Sequence, residues 1–227
     1  MGRKKNIGKY QQQQKLEQLK AEKKKRNRMI LGIVAAAVLV AVLVGVLIWV
    51  LSGDDGDGKV DTSDAIKVAM EIKDYGKITL ELYPNEAPIS VENFVNLVED
   101  GFYSGLNFHR VIENFMIQGG AGTGESALKP IKGEFSANGV ENDLKFDRGV
   151  IGMARTNAPD SATSQFFIMH KKNENLDGLY AAFGKVIDGM DVVDAIATCE
   201  KTDVIDGDGN RYIPAKDIII EKAYIVK

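Results

Sequence analysis

Apolar positions change period several times along this chain, and each change predicts an element. Ile66 to Ile72 and Lys77 to Tyr83 alternate apolar and polar around Asp74-Tyr75-Gly76, which predicts two strands joined as a hairpin. Pro84 to Pro88 breaks that alternation. From Ile89 to Glu99 the apolar residues return at Val91, Phe94, Val95 and Val98, an i, i+3, i+4, i+7 stripe closed by Gly101 in a C-cap role. This is the pattern of an amphipathic helix packed on a sheet. Phe108 to Gly120 reads as two short strands around the turn-like pair Glu113-Asn114, and Gly119 to Gly124 as a glycine-rich loop. Gly149 to Ala154, Ser164 to His170 and Ala181 to Val186 predict further strands. Gly189 to Thr198 has helical spacing at Val192, Val193, Ile196 and Ala197, and Asp217 to Ile225 predicts a last strand. The order has no alternating βα rhythm, which excludes a doubly wound parallel sheet. About eight short strands in roughly 160 residues suit a mainly β domain, a closed eight-stranded antiparallel barrel with an α-helix covering each open end.

One segment obeys neither period. Met29 to Leu51 holds no charged residue and is mostly Val, Leu, Ile and Ala. As a helix it would span about 34 Å at 1.5 Å per residue, enough for a hydrocarbon core of ~30 Å. Trp49 near its far end suits an interfacial aromatic. The run exceeds the ~7–15 apolar residues of a cleavable signal, so an uncleaved single transmembrane anchor is expected. Charge changes sign across it. Residues 1–28 carry eleven Lys/Arg against two Asp/Glu, or +9, and all later residues carry 18 against 30, or −12. The basic cluster Lys23-Lys24-Lys25-Arg26 with Arg28 places the N-terminus in the cytoplasm and the bulk of the chain outside it. Setting topology explains that cluster better than a nucleic-acid arm does, so no nucleic-acid partner is expected. Residues 52–65, rich in Gly and Asp, read as a flexible linker averaging roughly 20 Å end to end. The expected organisation is therefore a basic cytoplasmic segment (1–28), a membrane helix (29–51), a linker (52–65) and a folded domain (66–227). A bacterial cell envelope is the compartment this suggests. The single cysteine, Cys199, forbids an intramolecular disulfide and is expected to be packed against the core.

Several chemistries are excluded. Two histidines, His109 and His170, and one cysteine make a His/Cys metal site improbable, and neither H-E-x-x-H nor G-x-S-x-G occurs. Gly120-Ala121-Gly122-Thr123-Gly124 lacks the Lys-Ser/Thr ending of a phosphate loop. Asp206-Gly207-Asp208-Gly209-Asn210 starts like a calcium loop, but Arg211 stands where glycine is needed and no glutamate closes it, so it reads as a turn. In the stretch Phe108-His109-Arg110 a guanidinium sits among large hydrophobes, which suggests a groove taking an apolar group beside something polar. Strand neighbours face opposite sides, so an Arg110 lining that groove would send His109 into the core.

Phe108-His109-Arg110-Val111-Ile112 followed by Phe115-Met116-Ile117-Gln118-Gly119-Gly120 resembles the signature of the cyclophilins, the peptidyl-prolyl cis/trans isomerases. Gly152-Met153-Ala154-Arg155, Ser164-Gln165-Phe166-Phe167-Ile168, Leu176-Asp177-Gly178 and Phe183-Gly184-Lys185-Val186 match in the same order. The resemblance covers roughly Ile66 to Lys227, and leaves out the anchor and the linker. It implies the same capped eight-stranded barrel. By position it implies that Arg110 is catalytic, that Phe115, Met116, Phe167 and Leu176 line a proline pocket with Tyr180 at its edge, and that Gln118 and the Ala154-Arg155 backbone hold the peptide. Asn175 stands where the best-known eukaryotic members have tryptophan, which implies weak cyclosporin binding. Tyr180 replaces a histidine, and Arg155 an asparagine, a change expected to alter peptide preference through its side chain.

Rotation about X-Pro breaks no bond, so no cofactor or metal is expected. The expected substrates are proline-containing polypeptides, and the expected role is to assist the folding of exported chains at the membrane surface. A monomer is expected. The competing reading is a membrane-tethered module that holds proline-containing segments without turnover.

Overall fold

The computed structural model describes residues 60, 62–123, 125–207 and 209–226. The expected basic segment, membrane helix and nearly all of the linker lie outside the described residues. Among the described residues no helix is long and apolar enough to cross a membrane.

Strands β1 (Ile66–Ile72) and β2 (Gly76–Leu82) pair antiparallel from Ile66↔Leu82 to Ile72↔Gly76, the hairpin that the alternation predicts. Its turn needs left-handed backbone at Asp74 (φ 64°) and a positive φ at Gly76 (121°), conformations that Asp tolerates and Gly adopts freely. Helix α1 (Pro88–Glu99) starts with Pro at its first position, where a missing N–H costs nothing, and buries Val91, Phe94, Leu97 and Val98. Its cap comes from far along the chain. The carboxylate of Glu134, itself 2% exposed, accepts from Ile89 N (2.9 Å), Ser90 N (2.7 Å) and Ser90 Oγ (2.6 Å). A buried anion thus meets the positive end of the helix and two of its otherwise orphaned donors.

The remaining strands are β3 (Phe108–Ile112), β4 (Met116–Gly119), β5 (Val150–Met153), β6 (Phe166–Met169), β7 (Ala182–Asp188) and β8 (Ile220–Ile225), with helix α2 (Met190–Ala197) after β7. All eight join one antiparallel sheet in the order β3-β4-β6-β5-β7-β2-β1-β8. Helix α1 packs against β8, and α2 packs against β2, β3 and β4.

The expected closed barrel is corrected: the sheet is a half-barrel. Its end strands β3 and β8 meet only through the isolated bridge Asn107↔Ile219 and bonds just beside it, such as Phe108 N to Ile218 O (3.0 Å). Beyond that point Val111 N donates to Tyr212 O (2.7 Å), so the 200–216 loop takes the free edge of β3 where a closing strand would run.

Two apolar clusters lie on the two faces of this sheet. The inner one includes Phe94, Tyr103, Phe108, Val111, Ile117, Phe166, Ile168 and Phe183. The outer one includes Ile112, Met116, Leu144, Phe146, Phe167 and Met169, with Phe115, Leu176 and Tyr180 partly buried against it. Strand β6 is buried on both faces, which is why its sequence shows a continuous apolar run instead of alternation. Cys199 is free, partly buried against the inner core as expected, and burial pushes its thiol pKa up.

Candidate active site

The outer face is covered by fewer elements than the inner one, and the uncovered part is a cleft of about 170 Å³. Its floor follows from strand alternation. Arg110 pairs with Gln118, and Gln118 pairs with Phe167, so one row of side chains crosses β3, β4 and β6. Met116, two residues before Gln118, lies on the same face. Phe115 comes from the β3–β4 turn, Ala154 and Arg155 follow β5, and Leu176 and Tyr180 come from the segment that begins with the 3₁₀ turn Glu174–Leu176. All nine residues singled out from the sequence line this one cleft.

The hydrophobic walls are rings and a thioether. Phe167 stacks on Phe146 with centroids 5.3 Å apart and meets the Tyr180 ring edge-on at 5.7 Å. Gly152 makes that arrangement possible, because a Cβ there would stand 2.6 Å from the Phe146 ring and 2.9 Å from the Phe167 ring. Met116 is 1% exposed and forms part of the floor.

Arg110 stands over this floor with its side chain 34% exposed. Its Nη1 lies 3.9 Å from the Met116 sulfur, and its Cζ lies 5.9 Å from the centre of the Phe115 ring. Asp206, from the 200–216 loop, brings a carboxylate oxygen 3.9 Å from Nη2. The guanidinium is therefore oriented by soft and weak contacts, and its remaining N–H groups can meet a bound ligand.

A polar chain leads away from the apolar pocket. Gln118 Nε2 donates to Gln165 Oε1 (2.9 Å), and Gln165 Nε2 donates to Glu125 Oε1 (2.9 Å). Thr163 Oγ1 donates to the same Glu125 oxygen (3.0 Å). This chain fixes the Gln118 amide so that its carbonyl oxygen can face a peptide N–H. Ala154 N is committed to Gln165 O (2.9 Å), which leaves its carbonyl as the group it can offer.

One expectation changes here, that for His109, while Arg155 and Asn175 take definite places. The Arg155 side chain lines the cleft with its guanidinium tied back. It donates to Leu179 O (2.7 and 3.0 Å) and Thr156 O (2.8 Å), and lies between the rings of Phe135 (5.0 Å) and Tyr180 (4.6 Å). It acts as a buttress for Tyr180. His109 is not in the inner core. A register irregularity between Phe108 and Arg110 breaks strict alternation, so Phe108 fills the core while His109 stays half-buried beside Gln165 and Glu125. Burial lowers its pKa, opposed by the Glu125 carboxylate and aided by the Arg110 charge. Asn175 is exposed and lies outside the cleft lining.

Sequence reasoning missed Gln165, Glu125, Phe146 and Asp206. Gln165 was within reach, since it stands two residues before Phe167 and shares its face. Glu125 and Asp206 arrive on loops whose course carries no periodic signal.

The arrangement can hold a compact apolar ring against Met116 and Phe167, with a guanidinium beside the atoms attached to it. Among the described residues no group of three or more His, Cys, Asp or Glu is placed to hold a metal ion. Comparison with known proteins agrees with this geometry. Residues 67–225 match the family model described as cyclophilin type peptidyl-prolyl cis-trans isomerase. A peptidyl-prolyl cis-trans isomerase of Acinetobacter baylyi is 54% identical over 131 residues, covering 54% of this chain and 67% of that protein. Peptidyl-prolyl cis-trans isomerase A of Dickeya dadantii is 44% identical over 161 residues, covering 67% and 80%. Among solved structures, a Cryptosporidium parvum cyclophilin type isomerase superposes with a TM-score of 0.62 at 30% identity, over 72% of this chain and 98% of that one.

Proposed function

The chain belongs to the cyclophilin-type peptidyl-prolyl cis-trans isomerases and is an enzyme of that family, and from this premise we propose that Arg110 is its catalytic group and the Phe115–Met116–Phe167–Leu176 cleft its proline pocket. The observation that carries this reading is the partly exposed Arg110 guanidinium standing 3.9 Å from the Met116 sulfur and 5.9 Å from the centre of the Phe115 ring.

The chemistry asks for little else. The peptide C–N bond resists rotation by ~18–20 kcal/mol because of its partial double-bond character. For X-Pro bonds spontaneous exchange takes tens to hundreds of seconds. As the bond twists, conjugation is lost and the proline nitrogen regains its lone pair. A guanidinium N–H aimed at that nitrogen binds the twisted state better than the planar one, which lowers the barrier. Raising a rate of ~0.01–0.1 per second to roughly 10³ requires about 5.5–7 kcal/mol, at 1.36 per tenfold. One charge-assisted hydrogen bond supplies about 1.5–3 kcal/mol. The rest comes from fixing the proline ring in a dry apolar pocket while the preceding carbonyl swings, with Gln118 and the Ala154 carbonyl holding the peptide on either side.

Arg110→Ala is expected to lose roughly 10- to 100-fold in kcat/KM at unchanged thermal stability. A protease-coupled assay on a proline-containing peptide tests this, and a wild-type rate in the variant contradicts it.

The cellular setting completes the proposal. The domain works outside the cytoplasmic membrane as a monomer, tethered through residues 29–51 and the 52–65 linker, and assists the folding of exported chains. Its support is the uncharged apolar run and the change of charge across it. Membrane fractionation with protease added to intact cells tests it. A domain that fractionates as soluble rules the tether out, and one that protease reaches only after lysis rules out its place outside the membrane.

A further inference from the structure

His170 follows directly on β6, outside the cleft, and its ring is directed at the turn that carries Phe115. Its Nδ1 accepts from Asn114 N at 2.9 Å, and its own backbone N–H donates to Phe115 O at 2.9 Å. Lys171 N adds a longer bond to the same carbonyl (3.3 Å). The Asn114–Phe115 unit is thus held on its amide side by the imidazole and on its carbonyl side by the main chain. That unit is a tight turn with Asn114 in the left-handed region (φ 60°), which asparagine tolerates, and the two bonds fix how the turn presents Phe115.

The imidazole is itself held from the other side. Its Nε2 faces Asp194 Oδ1 of α2 at 3.3 Å, and the His170 side chain is 13% exposed. Arg148 ties the pair together, donating to His170 O (2.7 Å) and to Asp194 Oδ2 (2.7 Å). An imidazole nitrogen that accepts a hydrogen bond carries no proton, so Nδ1 is the acceptor and a ring hydrogen sits on Nε2, on the side of Asp194. One chain of contacts then runs from α2 through His170 to Asn114, to the Phe115 ring, and on to the Arg110 guanidinium 5.9 Å above that ring.

We propose that His170 is a positioning residue for the isomerase reaction, acting as a clamp whose Nδ1 sets the Asn114–Phe115 turn and so the wall of the proline pocket beneath Arg110. The inference rests on the assignment of the pocket above and adds a residue that touches neither substrate nor Arg110. Small misplacements of a binding wall are costly to catalysis, up to about 10²-fold for an ångström.

Two substitutions in the full-length chain separate the clamp from a merely structural role. The Asn side chain superposes its Oδ1 on the position of Nδ1 but cannot reach Asp194, whereas Phe fills the volume and offers no acceptor. In the protease-coupled assay His170→Phe is expected to lower kcat/KM roughly tenfold, and His170→Asn to stay within about twofold of wild type. A role confined to the Asp194 contact would affect both equally, because both lose Nε2. Equal losses in the two variants, or a wild-type rate in His170→Phe, overturn the proposal. Should His170→Phe not fold, His170→Ala, which introduces no misfitting bulk, takes its place with the same expected loss. The reading of the pocket is tested separately, by the turnover of the wild-type chain and its loss in Arg110→Ala.

Discussion

On β6, Phe166 turns inward and its ring meets Phe94, Tyr103 and Phe108 edge-on at 5.4–5.9 Å, while Phe167 turns outward, stacks on Phe146 and meets Tyr180. The two residues are adjacent, chemically identical and both buried, at 0% and 5% exposure. What differs is how completely each face is covered. The inner face closes on itself beneath α1, as a fold requires. The outer face is covered on one side by Phe146 and the 174–180 segment and left open on the other, and the gap is the cleft under Arg110. Apolar residues on the inner face hold the structure; on the outer face the same residue types give a substrate its shape. Hydrophobicity alone does not distinguish the two.

The largest expected effect breaks the inner face. Phe166→Ala should cost about 3–5 kcal/mol of unfolding free energy in urea titration, since its ring sits among neighbours that cannot collapse into the void. Phe167→Ala should fall at or below the lower end of that range, because its ring borders an existing cleft, while isomerase turnover drops with it. A Phe167 variant that is as destabilised as the Phe166 variant but fully active would erase the distinction between the faces.

Glu134 serves the inner face without belonging to either cluster. Glu134→Ala leaves two α1 amides and the Ser90 hydroxyl without their carboxylate, at a cost of about 2–3 kcal/mol. Differential scanning calorimetry should show the loss, and kcat/KM below the melting range should stay unchanged.

The smallest effect is expected at His109, on the seam between the faces. Burial holds its folded-state pKa below the ordinary value, so the unfolded chain binds the extra proton more readily. Stability from this group is fully present above about pH 6.5 and is lost as pH falls through the folded-state pKa. His109→Gln should therefore flatten the stability-against-pH curve below about pH 6.5 and leave it unchanged above. Denaturant midpoints across that range decide it, and an unaltered slope contradicts the assignment.

Much of this was legible in the sequence. Period-two and helical spacing located the β1–β2 hairpin and both helices to within a residue or two, because β2 and the helices bury one face and β1, though buried on both at its centre, still alternates in sequence. The nine cleft residues were legible through motif resemblance and strand alternation, which brings Arg110, Met116, Gln118 and Phe167 to one side. What escaped depends on loops and local irregularity. The half-barrel rests on the 200–216 loop covering β3, the place of His109 rests on a break in register, and the cap by Glu134 joins positions 44–45 residues apart. The fate of the Arg155 side chain was likewise illegible, since it depends on Phe135 and Tyr180 arriving from two different segments to enclose it.

The central claim is that Arg110 accelerates rotation of a proline bond seated on the outer face, without being needed to seat it. Exchange NMR on a labelled proline-containing peptide, at concentrations that saturate wild type and Arg110→Ala alike, reads the cis–trans rate of the bound peptide directly. The account predicts rapid exchange on the wild-type chain and exchange slowed by roughly 10- to 100-fold on Arg110→Ala with the peptide still bound. Bound peptide exchanging equally fast on both would contradict it.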